Sequence, residues 1–304
     1  MAENMDPDSL RVHPPSNVVF LCGGALGDPR DEAKHFRDVF YRLHNGANNN
    51  YELILAEKAE PLEEDAGYRD LLSFESDIAQ VAALIVLFVE SAGSLAELGA
   101  FAALPTVAPN LLAILTDNHY AQKSFVRNGP IRFLEKQFGE EWVLSLDCRD
   151  LKINGSDLSE IEKIRFHEAV ESAIRQRLDK NPASAKFDRD NAGHIILLIT
   201  GLCQEYGALN RLEIERFLAN FNLPDVRFEN LVYCAQLMGW IKKIRKGNQI
   251  LYVAREGDAA LRFKFLEGVE QRDKMRWRTD IRMFWKSRDP VRLRAIADVN
   301  SNDE

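Results

Sequence analysis

Short apolar runs alternate with amphipathic segments over the first 180 residues of the chain. Five runs have the length and the β-branched or aromatic content of strands: NVVFLC (17–22), YELILA (51–56), ALIVLFV (83–89), LLAIL (111–115) and WVLSL (142–146). The third run is uninterrupted, which is typical of a central strand buried on both faces. Apolar residues recur at helical spacing between the runs. The alternation predicts an α/β fold, an open parallel five-stranded sheet with flanking helices.

Helical spacing predicts the positions of the flanking helices. They are expected at about 31–43, 68–81, 94–104, 129–138 and 159–178. Ligands of such sheets bind beyond the carboxyl ends of the strands. The loops that follow residues 22, 56, 89 and 115 are therefore where a site is expected.

The pattern changes after residue 178. The segment DKNPASAKFDRDNAG (179–193) contains the Pro, Gly and charged residues of a linker. Helices are then predicted at 194–206, 210–220 and 225–238, followed by two runs that flank the turn Lys246-Gly247-Asn248. Three helices and a hairpin predict a winged-helix domain. Basic and aromatic residues alternate beyond it and predict a basic helical tail.

These patterns divide the chain into five parts. They are a flexible N-terminus (1–16), an α/β domain (17–180), a linker (181–193), a winged-helix domain (194–256) and the tail (257–304). The net charge of -8 separates along the same line, with -12 over residues 1–180 and +4 over residues 181–304. A mildly basic second part can meet phosphates along one face, whereas the acidic first part is a poor general binder of nucleic acid.

Composition excludes several classes of protein. The 304 residues are 46% hydrophobic and 28% charged, which is unlike a fibre, a disordered chain or a disulfide miniprotein. No run approaches the ~18 apolar residues of a membrane span, so we expect a cytoplasmic protein with no membrane partner. The four cysteines form no CxxC pair and the histidines form no HExxH motif. The sequence therefore predicts no metal site and no cofactor.

The segment LFVESAGSLAELGAF (87–101) carries the most chemistry. A predicted strand ends in a loop of small residues and a helix begins at once, which exposes backbone N–H groups. We expect Glu97 in the first helical turn, where the helix N-terminus favours an ionised carboxylate. Such a carboxylate can attack C1′ of a sugar or stabilise an oxocarbenium ion as a C1′–N bond breaks. The alternative is a capping box in which Glu97 bonds back to Ser94.

Other residues of the same loops are candidates for binding a nucleotide. Glu90 can orient a sugar hydroxyl or donate a proton, or it can be a solvated loop carboxylate. The remaining candidates, which contact phosphate or ribose or else serve turns and helix caps, are Gly23, Gly24, Ser91, Gly93 and Ser94.

Three segments carry a resemblance to a known family. LFVESAGSLAELGAF, the opening FLCGG and the later KSFVRNGPIRFLEK resemble nucleoside 2-deoxyribosyltransferase-like proteins, most closely the retron-associated effectors that join such a domain to a C-terminal winged helix. The likeness covers nearly the whole chain in order. It implies that Glu97 is the nucleophile at C1′, with Glu90 as the nearest match to a second acidic residue. Asn128 lies in a recurrent segment and would border the pocket, with an N-cap as the alternative.

The resemblance also implies a function and partners. The chain would be a toxic N-glycosidase of antiviral defence with NAD as its substrate rather than a cofactor. The retron reverse transcriptase and its msDNA would hold it inactive, and it would form an oligomer. Hydrolysis or transfer of deoxyribosyl nucleosides or nucleotides is the alternative within the same chemistry.

A different class of function also fits the pattern. The chain could be a nucleotide-sensing, DNA-binding regulator that binds its ligand without turnover. Basic residues predicted on the wing could contact phosphates in either case: Lys242, Lys243, Arg245 and Lys246. Many winged helices contact protein instead, so both partners remain open at this point.

Overall fold

The computed structural model describes most of the chain in two compact units. The described residues are 5–44, 50–59, 66–155, 157–182, 184–223, 226–268 and 274–300. The sheet unit takes its residues from 17–59 and 82–181. The helical unit takes its residues from 1–16, 60–81 and 182–304.

The described residues form the following regular elements. The strands are β1 (Arg11–Val12), β2 (Val18–Cys22), β3 (Glu52–Leu55), β4 (Leu84–Phe88), β5 (Leu111–Thr116), β6 (Val143–Leu146), β7 (Ala185–Lys186), β8 (Ala208–Leu209), β9 (Ile241–Lys246), β10 (Gln249–Ala254) and β11 (Leu261–Arg262). The helices are α1 (Phe36–His44), α2 (Leu71–Ala79), α3 (Ala92–Ala103), α4 (Asp117–Ala121), α5 (Arg132–Gln137), α6 (Lys163–Leu178), α7 (Ala192–Tyr206), α8 (Arg211–Ala219), α9 (Phe228–Leu237), α10 (Lys274–Arg288) and α11 (Pro290–Asn300). None of these helices has both the length and the apolar character that a membrane crossing requires.

The sheet unit contains one parallel sheet of five strands in the order β3-β2-β4-β5-β6. Strands β2, β4 and β5 are buried along their whole length, whereas the edge strands β3 and β6 are partly exposed. The sequence prediction of an open parallel five-stranded sheet with flanking helices is confirmed, including the central position of the run ALIVLFV.

Alternate residues of each strand face opposite sides of the sheet. On one side, Val86 and Phe88 pack in a core with Phe40 of α1 and Phe166 of α6. The chain leaves β2 towards β3 but leaves β4 in the opposite direction, towards β5. Crossovers between parallel strands are right-handed as a rule, and this rule puts α1 and α3 on opposite faces. The carboxyl ends of β2 and β4 are thus neighbours at the point where the strand order reverses, which is where such sheets bind ligands.

The helix between β3 and β4 lies outside the sheet unit. α2 packs against α7 and α9 of the helical unit. The Tyr68 hydroxyl donates to Oδ2 of Asp77 at 2.8 Å, and Arg227 donates to Oδ1 of Asp77 at 3.0 Å. The sequence assigned residues 60–81 to the α/β domain because the alternation of strand and helix continues through them. The contact with Arg227, which is distant in sequence, places α2 in the helical unit.

The helical unit combines helices with two small sheets. Helices α7, α8 and α9 precede the β9–β10 hairpin, whose turn includes Gly247 with a φ of 60°, a conformation that favours glycine. Strand β8 pairs with β10 and completes a three-stranded sheet. Ala295 and Val299 of α11 pack on Leu251 and Val253 of this hairpin.

The N-terminus and the predicted linker contain ordered strands in the described residues. Strand β1 lies between β7 and β11 in an antiparallel sheet, and Leu10 and Val12 are fully buried. The sequence predicted a flexible segment at 1–16, which is polar and acidic, and a linker at 181–193, which has the Pro, Gly and charged residues of a linker. A two-residue strand forms when its partners are distant segments, and such pairing leaves no local periodicity.

Candidate nucleotide site

The site is built around the carboxyl ends of β2 and β4, where Gly23 meets Phe88. Gly23 has a φ of +142°, and a Cβ there would lie 2.9 Å from Cβ of Phe88 and 3.2 Å from Cδ of Arg37. A Cβ on Gly24 would lie 2.5 Å from the His35 ring. Because Gly23 and Gly24 lack side chains, the loop between β2 and α1, called the first loop below, can pack closely against Phe88, Arg37 and His35.

Glu90 is held by the backbone of the first loop and of α1. Its Oε1 accepts from the N–H groups of Gly24 at 3.4 Å and Arg37 at 3.1 Å, and its Oε2 accepts from the N–H of Phe36 at 2.5 Å. Burial raises the pKa of Glu90, while these N–H groups and His35 oppose the shift. The carboxylate thus caps the N-terminus of α1 and joins it to the end of β4.

The helix cap of α3 differs from the one that the sequence allowed. Ser91 is the N-cap: its Oγ accepts from the N–H of Ser94 at 3.1 Å, and Ser94 Oγ accepts from the N–H of Ser91 at 2.9 Å. The predicted capping box between Ser94 and Glu97 is wrong, because α3 begins three residues earlier than that box requires. Ser94 is buried, whereas Gly93 is exposed at the second helical position.

Glu97 is the sixth residue of α3 and is half-buried. Its Oε2 is buried and has no hydrogen-bond partner among the described residues. Burial raises the pKa of Glu97, and the Arg37 guanidinium opposes this shift. The expectation that the helix N-terminus favours the ionised form is therefore corrected, because the dipole acts over the first turn and Glu97 lies in the second.

Arg37 is a site residue that the sequence analysis missed. It is 2% exposed, its Nη1 donates to the carbonyl of Gly23 at 3.2 Å, and its Nη2 forms an ion pair with Glu57. Glu90 and Glu97 both stabilise its positive charge. The sequence offered little indication, since a lone arginine in an amphipathic helix is usually solvent-exposed. Its position at the start of the helix after the first strand was the available clue.

A cavity of about 350 Å³ opens beside this loop in the sheet unit. Its lining includes Glu90, His35, Asn118, His119 and Cys148. Of the predicted site residues in the described chain, Glu90 lines this cavity and Glu97 does not. Burial and an Asp117 side-chain hydrogen bond raise the pKa of the Cys148 thiol to about 11, so this group is protonated at neutral pH.

Asn128 lies apart from the loop residues. It belongs to a π-helical turn, Arg127–Ile131, that packs beside α3, but its side chain is exposed and donates to the carbonyl of Ser124 at 3.1 Å. None of its hydrogen bonds reaches Glu90 or Glu97 within the described residues. A role for Asn128 at the pocket stays a prediction.

The four basic residues of the predicted wing lie on two faces of β9. Lys243 and Arg245 are exposed on one face. Lys242 and Lys246 share the other face with Ile244, which packs in the α11 cluster. Lys246 also forms an ion pair with Asp298 of α11. The structure therefore leaves one face of the strand, with Lys243 and Arg245, as the basic surface of this hairpin.

The family of the chain follows from a sequence match that spans both units. Residues 33–243 match the model of the STM3845 retron effector protein family. The chain belongs to this family. This match includes α1, Glu90, α3 and the first three residues of β9, so the effector family covers parts of both units.

Two relatives from Escherichia coli extend the comparison. A protein of retron Ec86 is 28% identical over 177 residues, which is 55% of this chain and 53% of the relative. A protein of retron Ec73 is 30% identical over 133 residues, or 42% of each chain. Both are named as proposed ribosyltransferase/DNA-binding proteins. The chain thus spans about half the length of the curated relatives that it matches.

Proposed function

We propose that this retron effector is a toxic N-glycosidase that cleaves the bond between C1′ of a ribose and the nicotinamide of NAD. Glu97 is its nucleophile. The ribosyltransferase names of the two relatives support chemistry at C1′ of a sugar. The proposal rests chiefly on one observation, the buried and unbonded Oε2 of Glu97 in the described structure.

The environment of Glu97 suits attack on a sugar carbon. A carboxylate oxygen without a hydrogen-bond donor retains its nucleophilic lone pairs, and Arg37 supplies the nearby positive charge that favours ionisation. The Glu97 carboxylate attacks C1′ as the C1′–N1 bond breaks, and the electron pair of that bond leaves with neutral nicotinamide. Water then attacks C1′ and breaks the bond between C1′ and the carboxylate oxygen, which releases ADP-ribose, the free carboxylate and a proton to the solvent. Because the leaving group of NAD is cationic, no general acid is required.

Glu90 acts in this proposal as a positioning residue. Both of its oxygens accept backbone N–H groups, so it holds the Gly24 loop and the start of α1, which carries Arg37. Gly93 contributes through its backbone, because the first N–H groups of a helix have no intrahelical acceptor and can receive a phosphate. The cavity beside Glu90 would receive part of the nucleotide.

The helical unit serves regulation in this proposal. We assign α7 to α9 with the β9–β10 hairpin as a winged helix, α10 and α11 as a basic tail, and retron reverse transcriptase with msDNA as the partner that keeps the effector inactive. The exposed Lys243 and Arg245 would contact its phosphates. The DNA-binding part of the relatives' names supports this assignment.

The test compares the full chain with Glu97→Gln and with Glu140→Gln, an exposed carboxylate of the same unit. Each protein is incubated with NAD, NADP, ATP, dATP and deoxynucleosides, and the released base is separated by chromatography. We expect nicotinamide from the wild type and from Glu140→Gln, with a loss of roughly 10³-fold or more in Glu97→Gln.

Each other outcome has a defined meaning. Release of a purine or pyrimidine would replace NAD by a deoxyribosyl substrate and keep the role of Glu97. Equal turnover by Glu97→Gln would contradict the nucleophile. If neither the isolated chain nor the chain with its retron partners releases a base, and expression of the wild type is as harmless as that of Glu97→Gln, the protein is the ligand-sensing regulator.

A further inference from the structure

A second cluster of polar groups lies in the core of the sheet unit, away from Glu97. His44 ends α1, while His167 and Glu171 are one turn apart on α6. Nδ1 of His44 is 3.1 Å from Oε1 of Glu171, and Nε2 of His167 is 3.7 Å from the same oxygen. One ligand atom from each of the three residues lies within 4.8 Å of the others. The described chain contains no other group of this kind.

The two separations from Glu171 Oε1 are compatible with a tetrahedral metal ion, and the two histidine nitrogens lie within 4.8 Å of each other. Two ligand atoms bound at about 2.0–2.1 Å with tetrahedral angles lie about 3.3–3.4 Å apart. The two measured separations, 3.1 Å and 3.7 Å, fall on either side of that value. Two imidazoles and one carboxylate form a ligand set that Zn²⁺ uses, with a water molecule in the fourth position.

The surroundings hold the three side chains in place. The Glu171 side chain is 6% exposed, and its Oε2 has no hydrogen bond among the described residues, with Arg175 Nε at 3.5 Å. The His167 ring stacks on Phe40, and its buried Nε2 makes no hydrogen bond in the described structure. The Tyr51 hydroxyl donates to Oε1 of Glu171 at 2.6 Å, which is how an outer partner orients a carboxylate ligand.

We propose that His44, His167 and Glu171 bind one Zn²⁺ ion that joins the end of α1 to α6. His167 is the most accessible of the three side chains, at 23%, so the ion would enter past its ring. The ion would take the place of the direct contact between His44 and Glu171. Because α1 also carries Arg37, the ion would fix the helix that supports the nucleotide site. The inference does not depend on the proposed glycosidase activity.

The test uses the full chain in a Glu97→Gln background, so that its production does not depend on toxicity. Zinc content after dialysis is measured by plasma mass spectrometry, and Zn²⁺ affinity by calorimetry. Co²⁺ is added separately, because tetrahedral Co²⁺ has a visible absorption band. We expect one zinc ion per chain, the Co²⁺ band, and a higher Tm with Zn²⁺ than without it.

Variants assign the ion to the three residues. His167→Gln is expected to weaken Zn²⁺ binding by at least about 100-fold, and Tyr51→Phe, which removes the outer partner, by about 10–100-fold. His119→Gln, an exposed histidine of the same unit, is the control and should bind as the parent does. Absence of stoichiometric zinc and of the Co²⁺ band in the parent would overturn the proposal, and so would equal affinity in His167→Gln. If circular dichroism shows that His167→Gln is unfolded, the zinc content and affinity of the parent and of Tyr51→Phe still decide whether the site exists.

Discussion

At the scale of single residues, two glutamates seven positions apart have different surroundings because they lie on different elements. Glu90 accepts three backbone N–H groups, whereas Oε2 of Glu97 accepts none in the described structure. The proposal for Glu97 as nucleophile rests on this difference. The local sequence around Glu90 and Glu97 does not indicate this difference.

The pH dependence of activity should report the ionisation of Glu97. Burial raises its pKa above the ordinary value of 4.5. The nucleophile must be ionised, so the rate falls as the pH falls through this raised pKa, and the loss begins at a higher pH than for an exposed glutamate. We expect kcat/KM for NAD to show one such acidic limb. A rate that stays constant down to pH 4.5 would contradict an ionised Glu97.

Arg37 should set the position of that limb. Because its guanidinium lowers the pKa of Glu97, Arg37→Gln is expected to move the acidic limb to higher pH and to reduce kcat at neutral pH. Arg37→Lys retains the charge and should restore most of the limb, although it loses the forked contacts to Gly23 and Glu57. The pH profiles of the three proteins check this. If the acidic limb lies at the same pH in the wild type, Arg37→Gln and Arg37→Lys, electrostatic coupling between Arg37 and Glu97 is ruled out.

At the scale of elements, a distant side chain determines where α1 begins. The apolar spacing predicted a helix from about residue 31, but α1 starts at Phe36, where Glu90 supplies its cap. Similarly, α3 starts at Ala92 because Ser91 and Ser94 cap each other. Helix positions could be predicted from the sequence, since they depend on local periodicity. The residues at which the helices begin could not be predicted in this way, because they depend on hydrogen bonds to capping side chains.

Replacement of the Glu90 carboxylate by an amide should destabilise α1 and the loop that follows β2, because hydrogen-bond acceptors are lost. Glu90→Gln leaves the three N–H donors facing an amide, one end of which is itself a donor, so the free energy of unfolding should fall by about 1–2 kcal/mol. The Tm from thermal unfolding checks this, with Glu140→Gln as the matched control. A Tm equal to that of the control would show that the cap contributes little.

At the scale of the whole molecule, the chain passes between its two units more than once. Residues 1–16 and 60–81 belong to the helical unit although the sheet unit lies between them in sequence. The family match over residues 33–243 likewise includes parts of both units. Truncation at the predicted linker would therefore remove partners of β1 and α2.

Charge reversal on the exposed face of β9 tests the regulatory role of the helical unit. A Lys243→Glu, Arg245→Glu double variant should weaken binding to msDNA and reduce the slope of log K against log salt by about one for each lost phosphate contact. Fluorescence anisotropy at several salt concentrations measures both. The control is Lys123→Glu, Lys136→Glu, a pair of exposed lysines in the sheet unit. Equal salt slopes in the two variants would indicate a protein-binding surface instead.

Local periodicity was sufficient to predict the five-stranded parallel sheet, the five segments that form it and the loops at its carboxyl edge. Alternation and helical spacing are properties of neighbouring residues, so they can be recognised in the sequence. The relation of Glu97 to Arg37, the backbone capping by Glu90, the placement of α2 and the cluster around Glu171 became visible only in the folded chain. His44 and Glu171 are 127 positions apart, and no spacing rule connects residues that meet through the packing of two helices on one face of a sheet.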